Sequence, residues 1–210
     1  MPEGPPDLDL RPGAPARATL PDWVQTCRAC QAAAPDLAAL PLSAAEIVRS
    51  ENYRWLERHA AHVRPFLRWA RLCPAQARGE VFLMAAWSED DAGNAEAARL
   101  LRQRALRVWG QALPDDSGGL SAALRHLDVL RRSEAWADAA SAATRLQSLS
   151  LDSTSAAIVG LQHARIAAQD GACLSMALAL PPPAHRPHVA HLQRPIRPAK
   201  RSWVRRLLRR

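Results

Sequence analysis

The sequence predicts an all-α fold, and three observations carry that prediction. Apolar residues recur near the 3.6-residue period through most of the chain, most clearly at Ala97, Ala98, Leu101, Ala105, Val108 and Trp109. Helix punctuation stands where the periodic runs begin and end: Ser43-Ala44-Ala45-Glu46 is a capping-box pattern, and Gly93-Asn94 is a stop followed by a start. No stretch alternates apolar and polar residues for long, and Ala and Leu outweigh Val and Ile, so no strand is predicted.

The elements follow in order. Residues 1–22 hold six prolines and two glycines with little periodicity and are expected to be disordered. Residues 22–26 read as a short extended piece leading into Cys27-Arg28-Ala29-Cys30. The capping box starts a helix through Ile47, Tyr53, Trp55 and Leu56 to about Val63, and Pro65 kinks it or opens a second helix over Phe66–Leu72. Two helices joined at Asp91-Ala92-Gly93-Asn94 span Arg78–Leu113. A second pair covers Leu120–Arg132 and Glu134–Leu149. Asp152 or Ser153 caps a helix to Gln169, and a short last helix runs from Ala172 to Leu180. The helical body is thus 23–180. Six prolines then mark a semi-rigid linker over 181–200, and a basic tail follows over 201–210.

The central hairpin carries a resemblance. Gly93, Asn94, Ala95, Glu96, Ala97 and Ala98, followed by Ala105 and Leu106, resemble the core of a tetratricopeptide repeat. The small residues at the helix crossing in that family would be Ala86, Ala98 and Ala105 here. A weaker copy is laid over Leu127, Leu130, Trp136, Ala139 and Leu146, and a third over Ala164, Ala167, Gly171 and Met176. The matching positions Ala98, Ala139 and Met176 are 41 and 37 residues apart, against a family period of about 34. The resemblance covers roughly half the chain by this repeat criterion. It implies stacked antiparallel hairpins and protein–protein interaction; the basic clamp of peptide-binding members has no clear match.

Charge narrows the partners. The net charge is +8. Residues 194–210 hold eight basic side chains and no acidic one, which leaves 20 basic and 20 acidic side chains in the remainder. The body is neutral, so it is not expected to bind nucleic acid. No basic-then-apolar leader and no run of 18 apolar residues occurs, so a cytoplasmic protein is expected. In that compartment the four cysteines are read as reduced thiols.

Chemistry-bearing residues are few. Cys27 and Cys30 have the spacing with which a tight turn presents two thiolates to one zinc ion. His59 and His62, three apart on a helix, would complete a set of two cysteines and two histidines, with Cys73 another candidate. The competing readings are two ordinary cysteines near a helix start, or a redox pair without the βαβ surroundings such pairs favour. His185, His188 and His191 fall at every third residue and are read as solvated. Ser88-Glu89-Asp90-Asp91 closes a helix and is read as a solvated turn. Trp55, Trp69, Trp87, Trp109 and Trp136 lie in helical patterns and are read chiefly as core. In the tail, Trp203 with Leu207 and Val204 with Leu208 form one apolar stripe among Arg201, Arg205, Arg206, Arg209 and Arg210, a pattern suited to an anionic membrane face. No phosphate loop, nucleophile elbow, His-Glu-x-x-His or dinucleotide fingerprint is present. The expected function is therefore a non-enzymatic adaptor holding a protein or peptide partner. It would need no cofactor, and its tail could dock it peripherally on an anionic surface. The alternative is a small zinc protein built on the Cys-x-x-Cys turn.

Overall fold

The computed structural model describes residues 4–110 and 119–180. The fold is all-α apart from one two-stranded hairpin. After a 3₁₀ segment, Ala16–Trp23, the strands β1 (Gln25–Thr26) and β2 (Ala33–Ala34) pair antiparallel. Two short helices follow, α1 (Ala44–Arg49) and α2 (Glu51–Arg54), the latter continued as 3₁₀ over Trp55–Arg58. Then come α3 (Arg64–Leu72), α4 (Arg78–Asp91), α5 (Ala95–Trp109), α6 (Gly119–Arg132), α7 (Trp136–Gln147) and α8 (Ser153–Ala167).

Local chemistry explains the boundaries. The helix expected over 43–63 is broken at Ser50, whose backbone is extended and whose side chain accepts from the Tyr53 amide, restarting the helix as α2. Pro65 sits in the first turn of α3, where its missing N–H costs nothing. Asp152 caps α8 by accepting from the amides of Thr154 and Ser155 at 2.9 and 3.0 Å. Gly93, at φ +78°, ends α4 in the left-handed conformation glycine adopts without strain. Asn94 opens α5, but its side chain donates to Glu89 Oε2 at 2.7 Å instead of capping.

Two apolar clusters form the core. Helices α1 to α5 enclose Tyr53, Phe66, Leu83, Ala86, Ala98 and their neighbours. Helices α6 to α8 enclose Leu127, Ala139, Leu146, Val159 and Ile166. Helices α4 and α5 pack tightly because Gly79 lets the Trp109 indole lie on the α4 backbone; a Cβ there would meet Trp109 Cδ1 at 2.6 Å. Trp109 also carries the Arg125 guanidinium of α6, 5.5 Å from its ring centroid, and so links the two hairpins.

Two expectations are corrected. Residues 4–22 are ordered rather than disordered: Leu8 is buried in the second cluster, and its amide donates to the Leu174 carbonyl at 2.9 Å. This strap offsets its ordering entropy with two apolar anchors, Leu8 in the second cluster and Leu20 in the first, and a set of ion pairs, which composition does not show. The second correction is the helix expected over 172–180. Only a 3₁₀ turn, Met176–Leu178, forms. The backbone before it is extended, because Ser175 bridges Asp7 and the Met176 amide donates to Pro6. The third repeat copy therefore lacks its second helix. The 181–200 linker, the 201–210 tail and His185, His188 and His191 lie outside the described residues.

Candidate functional site

The helical packing gathers charge in two places with opposite character. The first is a buried ionic centre. Asp9, on the strap, is fully buried. It accepts from Trp87 Nε1 at 3.0 Å, from Arg102 of α5 at 3.0 Å and from Arg132 of α6 at 2.9 Å. Asp90, near the end of α4, holds the same two arginines at 2.6 and 3.0 Å. Arg11 reaches Asp7 at 2.7 Å and Asp91 at 3.3 Å, and Arg17 pairs with Asp91 as well. The acidic run 88–91 is thus no solvated turn. Ser88 and Glu89 are buried, and the carboxylates that would oppose the α4 dipole are compensated by arginines from three other elements. Burial alone pushes the Asp9 carboxyl up, but Arg102 and Arg132 more than reverse it and bring it down to about 2. Asp128 is the counter-example: burial dominates over the neighbouring Arg131 and raises it to about 6. This centre holds the strap against both hairpins, with its acids and arginines paired to one another.

The second place is a cleft of about 610 Å³ between α1–α3 and the α4/α5 hairpin. Among the described residues its lining includes Arg71, Arg78, Arg104 and Arg107 and no Asp or Glu. Helix geometry puts them there. Arg104 and Arg107 are three apart on α5, with Val108 beside them, and Arg78 is one turn before Phe82 on α4. The floor is apolar, formed by Tyr53, Leu56, Leu67 and Phe82. Burial holds the Tyr53 phenol protonated, raised to about 12, and its hydroxyl donates to the Gln31 carbonyl at 2.9 Å.

Pairing separates the two places. The buried or half-buried arginines that hold the fold have acids: Arg68 with Glu57, Arg102 and Arg132 with Asp9 and Asp90, Arg125 with Glu80, Arg131 with Asp128. Among the described residues none of the four cleft arginines is ion-paired. Arg78 Nε is buried with no hydrogen-bond partner among them, but so are the Nε atoms of the paired Arg68, Arg102, Arg125 and Arg132, so the missing ion pair alone marks the cleft. The field reaches His59 as well, whose imidazole is held below its ordinary value by burial and by Arg104. Four such guanidiniums over an apolar floor suit a ligand carrying carboxylates or phosphates beside an apolar group.

The sequence-predicted metal residues are not assembled as a set. Among the described residues no group of three or more His, Cys, Asp and Glu side chains is placed to hold an ion. His62 Nε2 lies 2.9 Å from Glu89 Oε2, and His59 packs edge-on against Trp55. Cys73 is buried, with its thiol pushed up by burial. Cys27 and Cys30 do come together at the tip of the β1–β2 turn, where the amides of Cys30, Ala29 and Gln31 donate to Cys27 Sγ and draw its thiol below the usual range. Of the five tryptophans read chiefly as core, Trp87 is buried, Trp69, Trp109 and Trp136 are half-buried, and Trp55 is exposed. The arginine cleft escapes sequence reasoning because arginine is common throughout the chain; only the absence of partnering acids in three dimensions marks these four. The signal available is the arginine pair at 104 and 107 on a helix whose last acidic residue is Glu96.

Comparison with protein-family models, with curated proteins and with solved structures gives no match to this chain.

Proposed function

We propose that this protein is a non-enzymatic interaction adaptor whose α1–α5 cleft receives an acidic, amphipathic segment of a protein partner. The observation that carries this reading is the set of four arginines, without acids among the described residues, over the Tyr53–Phe82 floor. Guanidiniums bind carboxylates and phosphates in bidentate fashion, and a neighbouring apolar floor seats a Leu or aromatic anchor between the acidic positions. The hairpin framework supports such a role as a rigid surface without moving parts, which is also what the tetratricopeptide resemblance implies. The basic segment 201–210 would add a second, weaker contact on an anionic membrane face.

An array of short fluorescent peptides, with Asp and Glu flanking one apolar residue and matched controls with Lys in the acidic positions, tests the reading. Anisotropy titrations should select the acidic set, with affinity falling as salt rises. The double variant Arg104→Glu, Arg107→Glu alters only exposed side chains. It should retain the fold while losing at least tenfold in affinity, about 1.4 kcal/mol. Equal binding of both peptide sets, or unchanged affinity in the double variant, overturns the reading.

A further inference from the structure

The Cys27–Cys30 turn carries a second inference, independent of the cleft. Its backbone is fixed from both ends and from behind. The Cys27 amide donates to the Ala32 carbonyl at 2.8 Å and the Gln31 amide to the Cys27 carbonyl at 2.9 Å, closing the turn with Gln31 at φ +64°. Tyr53 and Arg68 both hold Gln31, the first through its carbonyl and the second through its side chain at 2.8 Å. Arg68 is itself buried and paired with Glu57. The result is a firmly held turn in which Cys30 is exposed and Cys27 half-buried.

Both cysteines open on an apolar recess of about 370 Å³ that includes Leu37, Leu40, Leu42 and Val48. Leu42 is 97% exposed, so its side chain has no cover within the described chain. The donor count stops at two among the described residues. His59, His62 and Cys73 are engaged as described above, and Cys173 accepts from Arg11 at 3.1 Å. Zinc bound structurally by thiolates takes four ligands in a tetrahedron.

We propose that Cys27 and Cys30 form half of a zinc site that a second copy of this chain completes. The same two sulfurs from the second copy, related by a two-fold axis, make a four-thiolate set. The same contact covers the Leu42 rim of each recess with that of the other. Four thiols release four protons on binding Zn²⁺ and leave a site of charge −2, which Arg28 within the turn and Arg49 on the recess wall of each copy offset. The proposal explains why a turn so firmly built presents only two donors.

The full chain, kept reduced and anaerobic, is titrated with Zn²⁺ and followed by light scattering and elemental analysis. One zinc per two chains and a doubling of the 23.0 kDa mass are expected, both reversed by chelator. Substituting Co²⁺ should give the thiolate-to-metal absorption of a four-sulfur tetrahedral site. Cys27→Ser and Cys30→Ser should each remain monomeric and metal-free, with the circular dichroism of the parent showing that they fold. One zinc per monomer would place all four ligands in one chain and overturn the proposal. So would an absence of zinc binding, or a dimer indifferent to zinc or to either substitution.

Discussion

Replacing Asp9 with asparagine tests whether the strap is locked by charge. The amide side chain would keep an oxygen for the Trp87 indole, which donates at 3.0 Å, while removing the charge between Arg102 and Arg132. Deleting one partner of a buried ion pair costs about 3–5 kcal/mol when the other charge is left uncompensated. Here Asp90 still holds both arginines at 2.6 and 3.0 Å, so the lower end applies. A second route gives a similar size. The Asp9 carboxyl is displaced from 3.8 to about 2 in the fold, and that displacement corresponds to about 2–3 kcal/mol of stability at neutral pH. For a chain of this length a loss of about 3 kcal/mol lowers Tm by about 6–12 °C. Because the folded pKa is depressed, this stability is present above the unfolded value and is lost as pH falls through 3.8 toward about 2. Urea denaturation of parent and Asp9→Asn, from neutral pH down to about pH 3, should therefore show a gap that narrows in acid. A gap below about 0.5 kcal/mol at neutral pH, or one that does not change with acidification, would refute the charge-lock argument.

Two further outcomes follow from the packing and the sequence. Gly79→Ala pushes a Cβ into the Trp109 ring, and the overpacking cost of about 1–3 kcal/mol exceeds the smaller helix-propensity gain of alanine near a helix start; a Tm equal to the parent's would show that Trp109 can shift freely. In flotation assays the full chain should rise with liposomes containing anionic lipid and not with neutral ones, and deletion of 201–210 should abolish this; binding that survives the deletion would rule out the tail as the membrane contact.

Much of the helical framework is legible because local signals and tertiary packing agree. The α4/α5 turn is written in Gly93 and Asn94, the α8 start in Asp152, and the α3 start in Pro65. The strap is not legible, for a physical reason. Its prolines and glycines signal no regular structure, and its anchors act only on distant partners. Asp9 meets Trp87 and Arg132, 78 and 123 residues away, with Arg102 between them in sequence. Leu8 is tied to Leu174, farther still along the chain. No window of local sequence contains that information. The acidic run at 88–91 reads as solvated for the same cause, since its compensating arginines arrive from the strap, α5 and α6.

The candidate cleft shows where sequence reasoning about charge reaches its limit. A neutral body with 20 basic and 20 acidic side chains suggests that charges cancel. They cancel as a sum and not in space. The strap and the hairpins draw Asp7, Asp9, Asp90, Asp91 and Asp128 onto Arg11, Arg17, Arg102, Arg131 and Arg132, so acids are consumed where the fold needs them. The remaining arginines are then left with fewer acids elsewhere. Four of these line one apolar-floored cleft, close enough together for their fields to add over a low-dielectric wall. On α5 the division is visible along a single helix. Arg102 faces inward to Asp9 and Asp90, while Arg104 and Arg107 line a cleft that holds no acid among its described residues. The ionic centre and the cleft are therefore two consequences of one distribution of charge. A variant that loosens the centre would not quench the cleft, because Asp90 is held by Arg102 and Arg132, neither of which lines it. Neutralising the cleft takes an acidic segment from outside the described body, and this is the property that the peptide titration measures.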